Sequence, residues 1–191
     1  MVRWEPNARE RLAAAALELY SERGYERTTV AEIAKQAGLT ERTFFRHYAD
    51  KREVLFDGSG ALQELFVQGV AGAPQSAAPI DMVAAGLEAV SAMFVDRRPF
   101  ARKRQAVIAT NAELRERELI KLASLSAALA DALRRRGIAD PAASLTAEAG
   151  IAVFKVGFER WLEEGQDRAM GELMRESLAQ LKAVTAGSRV S

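Results

Sequence analysis

The chain has 191 residues, 49% of them apolar and 28% charged, and a formal net charge of +1. That is the composition of an ordinary globular chain, and its balance means that a polyanion could be held only by cations clustered on one face, not by bulk charge. Cysteine is absent, which excludes a disulfide or a thiolate metal site.

No apolar run reaches the roughly 18 residues that a membrane span needs. The N-terminus carries Trp4, Glu5 and Glu10 and lacks an apolar signal core, so a cytoplasmic location is expected. Residues 1–6 read as a loose arm. Asn7 is placed to cap a first helix that runs to about Arg23, buries Leu12, Ala16, Leu19 and Tyr20, and ends at Gly24. Val30, Ile33, Ala34 and Ala37 then recur at helical spacing. Thr29 and Glu32 stand at the two positions of a capping box. Gly38 follows the helix where the chain must turn through a left-handed conformation, which glycine adopts at little cost. Leu39 is apolar inside the turn. Thr40 caps a second short helix, with Phe44 and Tyr48 facing inward. Ala34 is small where the two helices cross. The stretch 29–48 therefore reads as a helix-turn-helix, whose second helix would enter the DNA major groove.

Asp50 and Glu53 form a second capping box, which predicts a helix from Lys51 to about Val70 carrying Val54, Leu55, Leu62, Leu65 and Phe66. This helix is the expected mechanical link between the reading head and the rest. The segment 69–79 is rich in Gly, Ala and Pro and reads as a loop. Met82, Val83, Leu87, Val90 and Phe94 predict a helix over about 80–95. Arg97, Arg98, Arg102, Lys103 and Arg104 surround Pro99. They read as a solvated helix-terminal cluster in preference to a second nucleic-acid surface. Residues 105–136 are helical with a break near Thr110 and Asn111, are apolar through Leu114, Leu122, Leu125, Leu129 and Leu133, and stop at Gly137. Asp140 and Pro141 suit a helix start with proline at its first position.

The next helix, to about Glu164, is apolar on two sides. Ile151, Phe154, Phe158, Trp161 and Leu162 make one stripe; Leu145, Ala149, Ala152 and Val156 make another. A helix apolar all round must be covered all round, and a partner subunit is the simplest cover. The last helix, about 168–184, carries Met170, Leu173, Met174, Leu178 and Leu181. The two C-terminal helices are expected to form a two-fold four-helix interface through Ile151, Phe154, Phe158, Leu162, Met170, Leu173, Met174, Leu178 and Leu181. The tail beyond Ala186 is expected to be disordered. No strand pattern is present.

Within the first 57 residues ten Lys/Arg balance ten Asp/Glu. Residues 40–52 are locally basic: Arg42, Arg46, Lys51 and Arg52 against Glu41 and Asp50, with His47 among them. The first turn of the second short helix holds Thr40, Glu41, Arg42 and Thr43. Arg42 can donate twice to a guanine edge, Glu41 can accept from a cytosine amine, and threonine can touch a thymine methyl. Arg46, His47 and Lys51 would reach phosphates. The backbone N–H groups of Thr28 and Thr29, at a helix start, are suited to another phosphate. Catalysis finds no support. His47 is the one histidine and there is no cysteine, so neither a nucleophile pair nor a metal shell can be assembled. Glu163 and Glu164 read as solubility, and no phosphate-cradling glycine loop occurs. No cofactor, no metal and no enzymatic activity are expected.

The helix-turn-helix is flanked by Ala13, Ala14, Leu17, Leu19, Tyr20, Gly24 and Thr28-Thr29 upstream and by Thr43-Phe-Phe-Arg-His-Tyr-Ala-Asp-Lys51 downstream. With these flanks, residues 9–56 resemble the N-terminal DNA-binding domain of the TetR family of one-component bacterial regulators. The resemblance implies an all-α fold of about nine helices. A three-helix DNA-binding domain over 1–56 would be followed by an effector-binding and dimerisation domain over 57–191. It places Thr29, Thr43, Phe45, His47 and Lys51 on DNA-contacting positions; where this chain has Phe45 the family more often has tyrosine, whose phenol would bond to phosphate. It also implies a homodimeric repressor on a palindromic duplex, released by a small, largely apolar effector. Phe66, Met82, Met93, Phe94, Phe100, Phe154, Phe158 and Trp161 are the candidate lining of that effector's pocket. The alternative is a DNA-binding regulator without an effector, whose C-terminal half only dimerises or recruits a protein partner.

Overall fold

A computed structural model of the chain describes residues 7–163 and 167–187; the expected arm over 1–6, Glu164 and the tail from 188 onward lie outside the described residues. The side chain of Asn7 accepts from the Glu10 N–H at 2.9 Å and starts α1 (Ala8–Arg23). The Thr29 hydroxyl accepts from the Glu32 N–H while the Glu32 carboxylate accepts from the Thr29 N–H, which completes the capping box of α2 (Val30–Gln36). Thr40 caps α3 (Glu41–His47) by accepting from the Thr43 N–H at 3.2 Å. Four further α-helices match the pattern read from sequence to within a few residues: α5 (Pro79–Ser91), α7 (Ala112–Arg135), α8 (Ala142–Leu162) and α9 (Met170–Thr185). Among the described residues the count of α-helices is nine and there is no strand.

The expected helix from Lys51 to Val70 is in two pieces. Asp50 does cap, its carboxylate accepting from the N–H groups of Arg52 and Glu53. The capped segment is only a 3-10 turn, Glu53–Phe56, and α4 begins at Ser59 and ends at Gly72. Val54, Leu55 and Phe56 are consecutive and all buried. A surface helix with one apolar face cannot bury three residues in a row. Pro99 is the second residue of α6 (Arg98–Ala109), where a missing N–H is harmless. The break near Asn111 is made by that residue, whose side chain accepts from the Leu114 N–H and opens α7. Pro141 occupies the cap position of α8, one residue ahead of the helix, while the Asp140 carboxylate accepts from the N–H and hydroxyl of Ser144.

The chain divides into two compact units. One runs to Ser59 and takes in Phe100–Leu119, a segment that the sequence reading placed in the second domain. Its core joins Leu12, Leu19, Ile33, Phe44 and Tyr48 to Val107, Ile108 and Leu114. Polar ties reinforce it. The Arg104 guanidinium donates to the Leu55 carbonyl at 2.6 Å and lies over the Phe56 ring, and Arg117 donates to Glu53 at 2.5 Å. Asn111 donates to Glu26 at 2.9 Å. The basic run is thus partly structural: burial lowers the affinity of Arg104 for its proton, and Glu118 opposes that.

The other unit comprises Gly60–Pro99 and Ile120–Ser191, in which α8 packs on α5 and α9. Its helices approach closely. A Cβ on Gly86 would lie 2.2 Å from the Phe66 ring, so that ring is seated directly on the α5 backbone. Ile151, Phe154, Met170, Leu173, Met174 and Leu178, expected at a subunit interface, are buried inside the single chain, and Phe158, Leu162 and Leu181 are half-buried there. The reason is α5, whose own apolar stripe covers α8 and α9. The second α8 stripe is the open one: Leu145 and Val156 are 66% and 47% exposed, Ala152 is exposed, and Ala149 is half-exposed.

Candidate nucleic-acid interface

Within the first unit, α2, the turn at Gly38 and α3 form the helix-turn-helix. Gly38 takes φ +64° as the turn demands, and the Leu39 N–H donates to the Ala34 carbonyl at 2.8 Å. The side chains that this scaffold leaves outward are those of the first turn of α3 and its outer face. Thr40, Glu41, Arg42, Phe45 and Arg46 are exposed, and Thr43 is half-exposed. Glu41, Arg42 and Arg46 make no hydrogen bond or ion pair among the described residues, so their donors and acceptors are available to base edges and phosphates. Phe45 is 55% exposed and rests edge-on against Phe44, a large apolar ring held at the surface. Thr40 and Thr43 share a hydroxyl contact at 3.1 Å. Thr29 is exposed, but its hydroxyl is bonded to Glu32.

Three expected contacts are already engaged inside the unit. Thr28 is 1% exposed and its hydroxyl donates to the Gly24 carbonyl at 2.9 Å. The N–H groups of Thr28 and Thr29, expected to be free for phosphate, donate to the Tyr25 carbonyl and to Glu32. The Lys51 ammonium donates to the carbonyls of Tyr25 and Thr28 at 2.9 and 3.1 Å and lies 4.2 Å from the Tyr25 ring centre. His47 is half-buried beside Tyr48, and its buried Nε2 finds no partner among the described residues.

A set of long-range clamps holds the head, and most of its members were missed in the sequence. The Tyr20 hydroxyl donates to the Lys51 carbonyl at 2.7 Å, and burial pushes that phenol well above its ordinary range. The Tyr48 hydroxyl donates to the Arg9 carbonyl at 3.2 Å; burial raises its pKa too. Arg9 pairs with Asp57. Arg11 donates to the carbonyls of Ala37 and Gly38. One signal was available for Arg11: it shares a helical row with Ala15 and Leu19, both buried, and a cation on an apolar row calls for a nearby acceptor. The Glu32 carboxyl is held below its usual range chiefly by the Thr29 N–H, and Asp50 chiefly by Arg52.

The candidate effector lining is dispersed. Phe66 and Met82 are fully packed. Phe100 is 47% exposed and belongs to the first unit. Phe94, Phe154, Phe158 and Trp161 do meet, with ring centres 5.6–5.9 Å apart. Met93 is half-buried. An open cleft of about 540 Å³ adjoins this cluster, lined by Phe94 and Trp161 with Ser91, Val95, Arg98 and Met170 among others. The Arg98 guanidinium lies 5.1 Å from the Trp161 ring centre.

Comparison with known proteins bears on family and fold. Residues 12–57 match the family described as bacterial regulatory proteins, tetR family, and residues 77–186 match the MftR C-terminal domain. The HTH-type transcriptional regulator TcmR of Streptomyces glaucescens is 38% identical over 82 residues, 43% of this chain and 36% of that protein. The match therefore spans about a third of the curated relative. Among solved structures, a putative transcriptional regulator from Pseudomonas aeruginosa PAO1 superposes with a TM-score of 0.66 at 19% identity, covering 97% of this chain and 94% of its own. The regulator FadR from Bacillus subtilis, solved in complex with stearoyl-CoA, gives 0.63 at 20% identity over 90% and 96%. At such identities the structures speak for the fold alone.

Proposed function

Because this chain belongs to the tetR family of bacterial regulatory proteins, and is a DNA-binding transcriptional regulator and not an enzyme, we propose that it is a homodimeric repressor released from a palindromic operator by a small, largely apolar effector. Each subunit sets α3 into one of two successive major grooves, with half-sites about 35 Å apart. Glu41 and Arg42 read bases, and Arg46 and His47 meet phosphate. The protein acts in the cytoplasm, on the nucleoid.

The single observation that carries the reading is the free, outward first turn of α3, with Glu41 and Arg42 unengaged while their neighbours are tied down. For the dimer, support comes from the open stripe Leu145, Ala149, Ala152 and Val156 on α8. For the effector, support comes from the aromatic cluster beside a cleft whose volume lies within the range of small-molecule sites. The FadR neighbour, solved with an acyl-CoA, makes long-chain acyl thioesters the first ligands to try. A second reading, DNA binding without an effector, is favoured by the complete packing of Phe66 and Met82.

Selection of bound sequences from random DNA gives the operator. Fluorescence anisotropy on that duplex, with and without acyl-CoA esters and aromatic acids, then separates the two readings. Release at micromolar ligand supports the first; unchanged binding across the panel supports the second. Failure to enrich any sequence overturns both.

A further inference from the structure

Arg11 lies on α1, outside the residues expected to touch DNA. Its guanidinium reaches the turn between α2 and α3, where one terminal nitrogen donates to the Ala37 carbonyl at 2.5 Å and to the Gly38 carbonyl at 3.4 Å. Both carbonyls stand at the end of α2, where a helix leaves its last acceptors without backbone donors. The fit is close: a Cβ on Gly38 would lie 2.8 Å from the same nitrogen. Two residues later Thr40 caps α3. The start of α1 also grips the far end of α3, because Tyr48 bonds to the Arg9 carbonyl. One helix that is not part of the helix-turn-helix therefore holds the recognition helix before its first residue and after its last.

We propose, resting on the base-reading role given above to Glu41 and Arg42, that Arg11 is a positioning residue for operator recognition: by holding the turn, it fixes the direction in which α3 carries those two side chains toward the bases. Base-edge contacts need paired donors and acceptors in register, whereas phosphate contacts tolerate displacement and supply the non-specific affinity. Loss of Arg11 then erodes discrimination more than it erodes binding as such.

The test uses the full chain with Arg11→Met and Arg11→Lys, each bound to the selected operator and to a scrambled duplex of equal length and composition. Circular dichroism first fixes a temperature at which every variant is folded. Arg11→Met is expected to bind the operator roughly tenfold more weakly, the scale of one charge-assisted hydrogen bond. Binding to the scrambled duplex stays within about twofold, and the salt slope is unchanged because no phosphate contact is removed. Arg11→Lys, which can still donate to one carbonyl, recovers part of the operator-to-scrambled ratio. Should Arg11→Met not fold, Arg11→Gln replaces it, being polar but too short to reach the turn. An equal fall on both duplexes, or an unchanged ratio, overturns the proposal.

Discussion

The ammonium of Lys51 donates to the carbonyl of Thr28 at 3.1 Å, closing the segment ahead of α2 onto the segment behind α3. It also donates to the Tyr25 carbonyl and lies over the Tyr25 ring, while its own carbonyl accepts from Tyr20. A lysine so engaged is a tie within the head. Lys51→Met is expected to cost about 2 kcal/mol, the worth of hydrogen bonds from a charged donor, and to lower Tm by about 6 °C in a chain of this size. It should leave the salt slope of DNA binding in place. A phosphate ligand would instead lower that slope by about 0.9. Melting followed by circular dichroism and a salt titration of binding settle which occurs.

Arg42 and Arg46 are both exposed on α3, one helical turn apart, yet they should respond differently. Arg42 is in the first turn, where side chains reach base edges; Arg46 is in the last. Arg42→Ala should change the preferred base pair at one position of each half-site, at a cost of about 1–3 kcal/mol on the wild-type operator. Arg46→Ala should weaken operator and non-operator alike and reduce the salt slope by about one. Repeating the selection from random DNA with each variant checks both; identical selected sequences for Arg42→Ala and wild type would refute the assignment of base reading to Arg42.

What the sequence revealed depended on range. Asn7, Thr29 with Glu32, Gly38, Thr40 and Asp50 act on backbone within a few residues of themselves, and the structure uses each as a cap or turn. The clamps made by Arg11, Tyr20, Tyr48 and Lys51 join residues 23 to 39 positions apart. Apart from the apolar row that Arg11 shares with Ala15 and Leu19, spacing along the chain carries no mark of them. The same holds for α6, whose tie from Arg104 to Leu55 spans 49 residues and draws it into the first unit. Apolar stripes disclosed that α8 needs cover on two sides but not which side meets its own chain. That was decided by α5, whose stripe is indistinguishable from a partner's.

The two carboxylates that cap the reading head predict an acid-side signature. Glu32 and Asp50 titrate below their ordinary values because the folded state bonds to their charged forms. An acid shifted this way adds stability that is complete above its unfolded pKa, near 4, and is lost as the pH falls through the folded value. Glu32→Gln and Asp50→Asn should therefore melt below wild type at pH 7, and the gap should close as the pH drops below about 4. Thermal melts across that range check it, and a gap independent of pH would contradict the capping role.

In the second unit the contact of Phe66 with Gly86 offers a sharper test of packing. An alanine at 86 places its methyl carbon 2.2 Å from the ring and 2.9 Å from the Phe66 carbonyl oxygen, so α4 and α5 must separate. Gly86→Ala is expected to destabilise by about 1–3 kcal/mol despite the helix propensity that alanine gains. Phe66→Leu, by removing ring atoms, should restore part of the loss in the double variant, which a double-mutant cycle measures.

The open stripe on α8 bears on assembly. Leu145, Ala149, Ala152 and Val156 recur at spacings of four, three and four, so they line one face, and none of them is buried in their own unit. If this face meets its copy across a two-fold axis, each residue acts twice, and one charge enters the interface as two like charges without partners. Val156→Glu should then convert a dimer into a monomer in light scattering, with helical content unchanged because the site is surface in the single chain. Operator affinity should collapse toward that of one half-site, while affinity for a single half-site duplex stays as it was. A Val156→Glu protein that remains dimeric at micromolar concentration would move the interface off this face of α8.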